Sequence, residues 1–203
     1  MLSGCLNDEP APVYYDIEGQ ILENGAPVEN AQIHFRNHLD PGGFLEESIG
    51  DSVTISFDSV FEGIYTARLY RFRADTAFIT FFRDSLGLGA QNISIPDSIL
   101  SNGIYAYEVI SEVQNLGSRL FMVNKSDSAL IGTLPVTTSD NSGDFTIDPA
   151  NLAFGRNFNF SSGFGFEVTD SLEIIVIKNG EVQINENIRV LPDEENYFEI
   201  TLD

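Results

Sequence analysis

The chain has one cysteine, no tryptophan and two histidines in 203 residues. A single thiol, Cys5, excludes an intrachain disulfide and any multi-cysteine metal site. No apolar run approaches the roughly 20 residues that a membrane-spanning helix needs. Basic residues are scarce, 10 against 31 acidic ones, for a formal charge of −21. Phosphate contacts need clustered Lys and Arg, so nucleic acid is not an expected partner. Catalytic signatures are missing too. The chain has no Gly-x-Ser-x-Gly elbow, and no phosphate-loop lysine follows Gly42-Gly43 or Ser162-Gly163-Phe164-Gly165. His34 and His38 are four apart, but they read as one strand residue and one residue of the following loop, so they share no helical face. Glu46-Glu47 and Asp193-Glu194-Glu195 read as solvated loop charges rather than a glycosidase pair. The expectation is a protein that is not an enzyme.

What the chain does have is apolar and aromatic bulk: 42% hydrophobic residues, with 16 Phe and 7 Tyr. This bulk is laid out with a period of two. Tyr15 to Leu22 alternates apolar and polar, turns at Glu23 to Pro27, and resumes from Val28 to Phe35. A break follows at Asn37 to Gly43. Strands are then expected at Ser52 to Phe57, Ile64 to Phe72, Ala77 to Phe82, Gln91 to Pro96, Ile104 to Ile110 and Arg119 to Lys125. Asn102-Gly103 reads as a tight turn, because both residues accept φ > 0. Further strands are expected at Leu130 to Val136, Phe164 to Thr169, Leu172 to Lys178, Glu181 to Val190 and Tyr197 to Leu202, with a hairpin turn at Asn179-Gly180. Strands spaced by about 8 to 12 residues, with turn residues between them, predict an all-β sandwich fold and no helix longer than a turn or two.

Gly19 to Ile33, with its glycine-bearing strand, polar turn, Pro27-Val28, Ala31 and second strand, resembles the opening of carboxypeptidase-regulatory-like domains, which are transthyretin-like β-sandwiches. The run Thr137 to Ile147 resembles that family's Thr-x-x-x-Gly-x-Phe-x-Ile hairpin, and Leu152-Ala-Phe-Gly155 its Leu-x-x-Gly. Between these halves, Leu100 to Tyr107 and Arg119 to Lys125 resemble the Ig-like module of flagellar hook-capping proteins and type IX secretion sorting domains. A sorting domain must be C-terminal to act, so the mid-chain resemblance implies the fold and not the sorting role. The expected organisation is two β-sandwiches, one inserted in the other: residues 13–43 plus 127–203, interrupted by 44–126, after a tether at 1–12. Charge divides the same way, with 10 acids and 6 bases in 44–126 against 21 acids and 4 bases elsewhere.

Leu2-Ser3-Gly4-Cys5 resembles a bacterial lipobox, which implies lipidation at Cys5 and a lipid-anchored protein of the outer membrane or cell surface. The charged and apolar leader segments are not in the sequence ahead of it. Asp8 and Glu9 loosely fit the acidic surface-export signal seen after such cysteines in bacteria related to Bacteroidota. Calcium is the one cofactor with a candidate site: Asp140, Asn141 and Asp144, with Ser142, gather oxygens in one turn, and Asp127 and Asp148 are candidates to join them. The alternative reading of the turn is a plain hairpin. Tyr14-Tyr15 is a candidate sugar platform, the alternative being that the pair stacks at the entrance of the first strand. The expected role is a non-enzymatic structural or protein-interaction module at the surface or in the periplasm, with an unidentified protein or glycan as partner. The alternative is a glycan- or nutrient-binding accessory lipoprotein.

Overall fold

The computed structural model describes residues 13–40, 46–48, 52–71, 78–96, 99–113, 115–149, 152, 157–159 and 165–203. Nearly all of this is β-structure, arranged in four sheets. Sheet I holds β1 (Ile17–Glu23) between β12 (Asp144–Ile147) and β16 (Asn196–Leu202), with β2 (Ala26–Pro27) folded back on β1. Sheet II runs β11 (Thr137–Thr138), β3 (Gln32–Asp40), β14 (Gly165–Lys178), β13 (Asn157–Asn159), with β15 (Glu181–Arg189) also paired to β14. Sheet III runs β4 (Glu46–Ser48), β10 (Asn115–Val123), β9 (Gly103–Ser111), β6 (Gly63–Arg71), β7 (Phe78–Leu86). Sheet IV has only β5 (Ser52–Ser59) and β8 (Gly89–Pro96). Among the described residues, strands from residues 17–40 and 137–202 thus pair only with each other, and those from 46–123 likewise.

Alternating burial makes each pair of sheets a sandwich. Ile17, Ile21, Phe145, Ile147, Ile200 and Leu202 of sheet I meet Ile33, Phe35, Val168, Leu172, Ile174 and Val176 of sheet II in one core. Ile55, Ile93 and Ile95 of sheet IV meet Tyr65, Leu69, Tyr105, Val109 and Phe121 of sheet III in another. In β14, Ile175 and Ile177 point the other way and are buried beneath Leu130. That explains the near-continuous apolar run in this strand: both its faces are covered.

The two sandwiches share a junction. Ile104 and Met122, on the outer face of sheet III, belong to the core of sheets I and II. Asn102 is buried, donates Nδ2–H to the Phe35 carbonyl (2.5 Å) and accepts the Lys125 N–H at Oδ1 (2.8 Å). Arg36 Nε donates to the Lys125 carbonyl (2.8 Å), and Asn124 Nδ2 to that of Asn37 (3.2 Å). Arg36 also pairs with Asp127 and, at 2.5 Å, with Glu173.

Several expectations are corrected. Asn102 is not at positive φ; only Gly103 is, at 149°, so the pair is not a turn with both residues left-handed, and Asn102 acts through its side chain. Strand β3 starts later and ends later than its apolar pattern suggested, because Asn30 turns the chain at φ 60° and the ladder to β14 then reaches Asp40. His38 is therefore a strand residue. Leu130 to Val136 is not a strand. It begins with the last residue of a short helix, α1 (Asp127–Leu130), and continues through turns, with Gly132 at φ 83° and Pro135 unable to donate to a ladder. Thr137 to Ile147 is not a hairpin: β11 joins sheet II and β12 joins sheet I. The turn at Asn179-Gly180 is a two-residue hairpin, with φ 54° and 78°.

Candidate functional site

Cys5 lies outside the described residues. Asp140, Asn141 and Asp144 are brought together where the chain crosses from sheet II to sheet I. There Asp140 Oδ1 accepts the N–H of Ser142 (2.8 Å) and of Asp144 (3.0 Å), while Gly143 N–H closes onto the Asp140 carbonyl (3.0 Å). One carboxylate oxygen is thus the internal acceptor of the turn. Asp127 is not delivered to this turn; it is held by Arg36 and Asn185, and Arg36 keeps its carboxyl below the ordinary range. Calcium takes six to eight oxygens, and among the described residues no three His, Cys, Asp or Glu side chains form a metal-binding group.

His34 and His38 share strand β3 but not an environment. His34 is buried, with Nε2 lacking a hydrogen-bond partner; burial, and then the charge of Lys125, push its pKa down to about 4. His38 is exposed, with Nε2 3.2 Å from Asn187 Oδ1.

Two features stand out as surfaces. The first is a groove of about 840 Å³ at one end of sheet I, lined by Tyr15, Asp16 and Glu18 at the start of β1 and by Asp193, Glu195 and Tyr197 around the start of β16. The parallel pairing of β1 and β16 brings these two strand starts side by side. The loop before β16 is stapled by the buried Asn196, which accepts from Leu191 N–H (2.7 Å) and donates to the carbonyls of Leu191 (2.9 Å) and Glu194 (3.1 Å). Asp193 exchanges hydrogen bonds with the backbone of Val13. Tyr15 and Tyr197 stand 50% and 59% exposed. Tyr14, by contrast, packs toward the core, where burial first and nearby carboxylates second raise its pKa. Tyr15 is where sequence reasoning looked for an aromatic face. Tyr197 was missed, although its place on the polar side of an alternating strand was the signal for it.

The second feature is the uneven pairing of sheets III and IV. Among the described residues, five strands are faced by two. The β5 strand follows the β8 ladder on one side, from Ser52↔Pro96 to Ser59↔Gly89. Its other edge pairs with no strand among the described residues. Tyr65 beside Phe57 is fully buried, yet Val53, Phe57, Tyr107 and Leu116 are only partly buried, and Arg119, opposite Tyr107 in the ladder, is exposed.

No family model matches the chain, and no curated protein matches it.

Proposed function

We propose that this chain is a non-enzymatic, lipid-anchored β-sandwich protein of the outer membrane or cell surface, held through Cys5, that works by binding another protein. The observation that supports it most is the edge of β5 that pairs with no strand among the described residues, a row of backbone donors and acceptors beside partly buried apolar side chains. Such an edge is a template for protein contact. The likeness of its two halves to carboxypeptidase-regulatory-like and Ig-like modules fits a scaffold role. The test is proteolysis of intact cells making the wild-type protein or Cys5→Ala. The expected result is cleavage of the anchored wild type at the surface and loss of the variant from the membrane fraction. Uncut wild type would place the anchored protein on the periplasmic face, and a variant still membrane-bound would defeat the reading.

A second reading, a glycan- or nutrient-binding accessory, is favoured by one observation: the groove between Tyr15 and Tyr197. Two exposed aromatic faces with carboxylates between them suit stacking on a sugar ring and accepting its hydroxyls. A glycan array with wild type and Tyr197→Ala separates the readings. Binding that the variant loses supports this one.

A further inference from the structure

We infer that the gap beside β5 is a docking slot for one extended strand of a different protein, added to sheet IV over the inner face of β9 and β10. The inference rests on the protein-binding reading above and gives that reading a site and a partner chemistry.

The occupant can be argued from three sides of the slot. Its floor is the main chain of β5, whose outer edge pairs with no strand among the described residues; an extended backbone satisfies it and a helix does not, because a helix uses its own N–H and C=O groups internally. Its inner wall is apolar: Val53 and Phe57 on β5, Tyr107 on β9 and Leu116 on β10 are each only partly buried. Phe57 and Tyr107 already lean on buried rings, Tyr65 at 5.8 Å and Phe121 at 6.0 Å between centroids, so they are fixed surfaces. The outer face of sheet IV is polar, with Ser56 Oγ donating to Asn92 (2.7 Å) and Thr54 3.4 Å from Ser94. A strand continuing this sheet therefore alternates, apolar inward and polar outward. At the far side of the slot, Arg119 is exposed and has no ion pair among the described residues, so an acidic residue on the incoming strand has a partner there.

The same edge could in principle pair with that of a second copy. Charge argues against it, since each copy carries −21 and would repel the other. The edge strand β7 is a poorer template. Its ladder to β6 slips between Ala67 and Arg68, and such a bulge twists an edge away from pairing.

The experiment uses the full chain with a peptide appended to Asp203 through a long Gly-Ser linker, which keeps the peptide near millimolar local concentration. The peptide matches β5 in length and alternates valine with threonine, with one glutamate among the inward positions. An isomer of the same composition groups its valines in one block. The readout is amide hydrogen exchange. Alternation should slow exchange of outward-facing β5 amides about tenfold or more, leave β7 unchanged, and lose much of its effect in Arg119→Glu. The block isomer should have none. Equal protection by the isomer, protection on β7 or β4 instead, no protection, or protection of β5 that grows with protein concentration without any peptide would each overturn the inference. This assay needs no anchor and no cell, so its failure leaves the intact-cell result standing, and the reverse also holds.

Discussion

Asn102 shows how one side chain can tie two cores together. Its amide satisfies a carbonyl of β3 on one side and the N–H of Lys125 on the other, and all three groups are out of contact with water. Truncation strands buried backbone groups rather than merely deleting a contact. Asn102→Ala should therefore cost about 2–4 kcal/mol, read as a shift in urea midpoint. Asn102→Asp, which sets a second oxygen against the buried Phe35 carbonyl, should cost at least as much as Ala. A near-neutral Asn102→Ala would show that water replaces the amide. His34 adds a pH dependence of definite sign. An unfolded imidazole titrates near 6.5, whereas folded His34 is held to about 4, chiefly by burial and then by Lys125. Between those values the unfolded chain binds the proton more readily than the folded one. Stability is therefore full above pH ~6.5 and declines as the pH falls toward 4, by about 3 kcal/mol at most. His34→Leu should flatten that part of the profile. Parallel Tm-against-pH curves for the two proteins would rule the effect out.

Strand β1 is paired along both edges, antiparallel to β12 and parallel to β16. Gly19 sits at its middle. A Cβ there would collide with the Phe198 carbonyl oxygen and the Phe145 ring, one of them backbone and the other a buried side chain. Gly19→Ala should cost about 3 kcal/mol or more. Gly63→Ala, where a Cβ meets nothing within 4 Å, should be close to neutral. Thermal melts of the two variants check the contrast, and equal Tm values would contradict it. How far these elements could be read from sequence follows from the physics of a strand. Alternation reports which face is buried, so β1, β6, β9 and β16 were legible, and so was the all-β class. Alternation does not report which strand lies next door. That is why the parallel β1–β16 pair, the split of Thr137 to Ile147 between two sheets and the groove between Tyr15 and Tyr197 were not legible. Leu130 misled for a related reason: one apolar residue caps Ile175 and Ile177 as well from a short helix as from a strand.

The two sandwiches can unfold separately only if their junction can open at small cost. Opening it would expose Ile104 and Met122, leave Asn102 without partners and uncover Lys125, which is fully buried. Burial of two large apolar side chains is worth about 3–6 kcal/mol, and the buried amide adds to it. The crossing segments also bind each other where they pass between the sandwiches, Asn37 to Asn124 and Arg36 to Lys125. The wild-type chain should therefore show one cooperative transition in urea, with tyrosine near-ultraviolet signals and amide exchange in β1 and β9 reporting the same free energy. Weakening the joint should separate them. In Asn102→Ala combined with Met122→Ala, the amides of β9 should begin to open below the global free energy while those of β1 keep to it. The reason is that sheet III would lose its hold on the larger core, whereas sheets I and II would retain most of theirs. If the double variant still unfolds in one step, the coupling resides in the shared chain crossings rather than in the buried joint. Two steps already in the wild type would mean that the joint is too weak to couple the sandwiches at all.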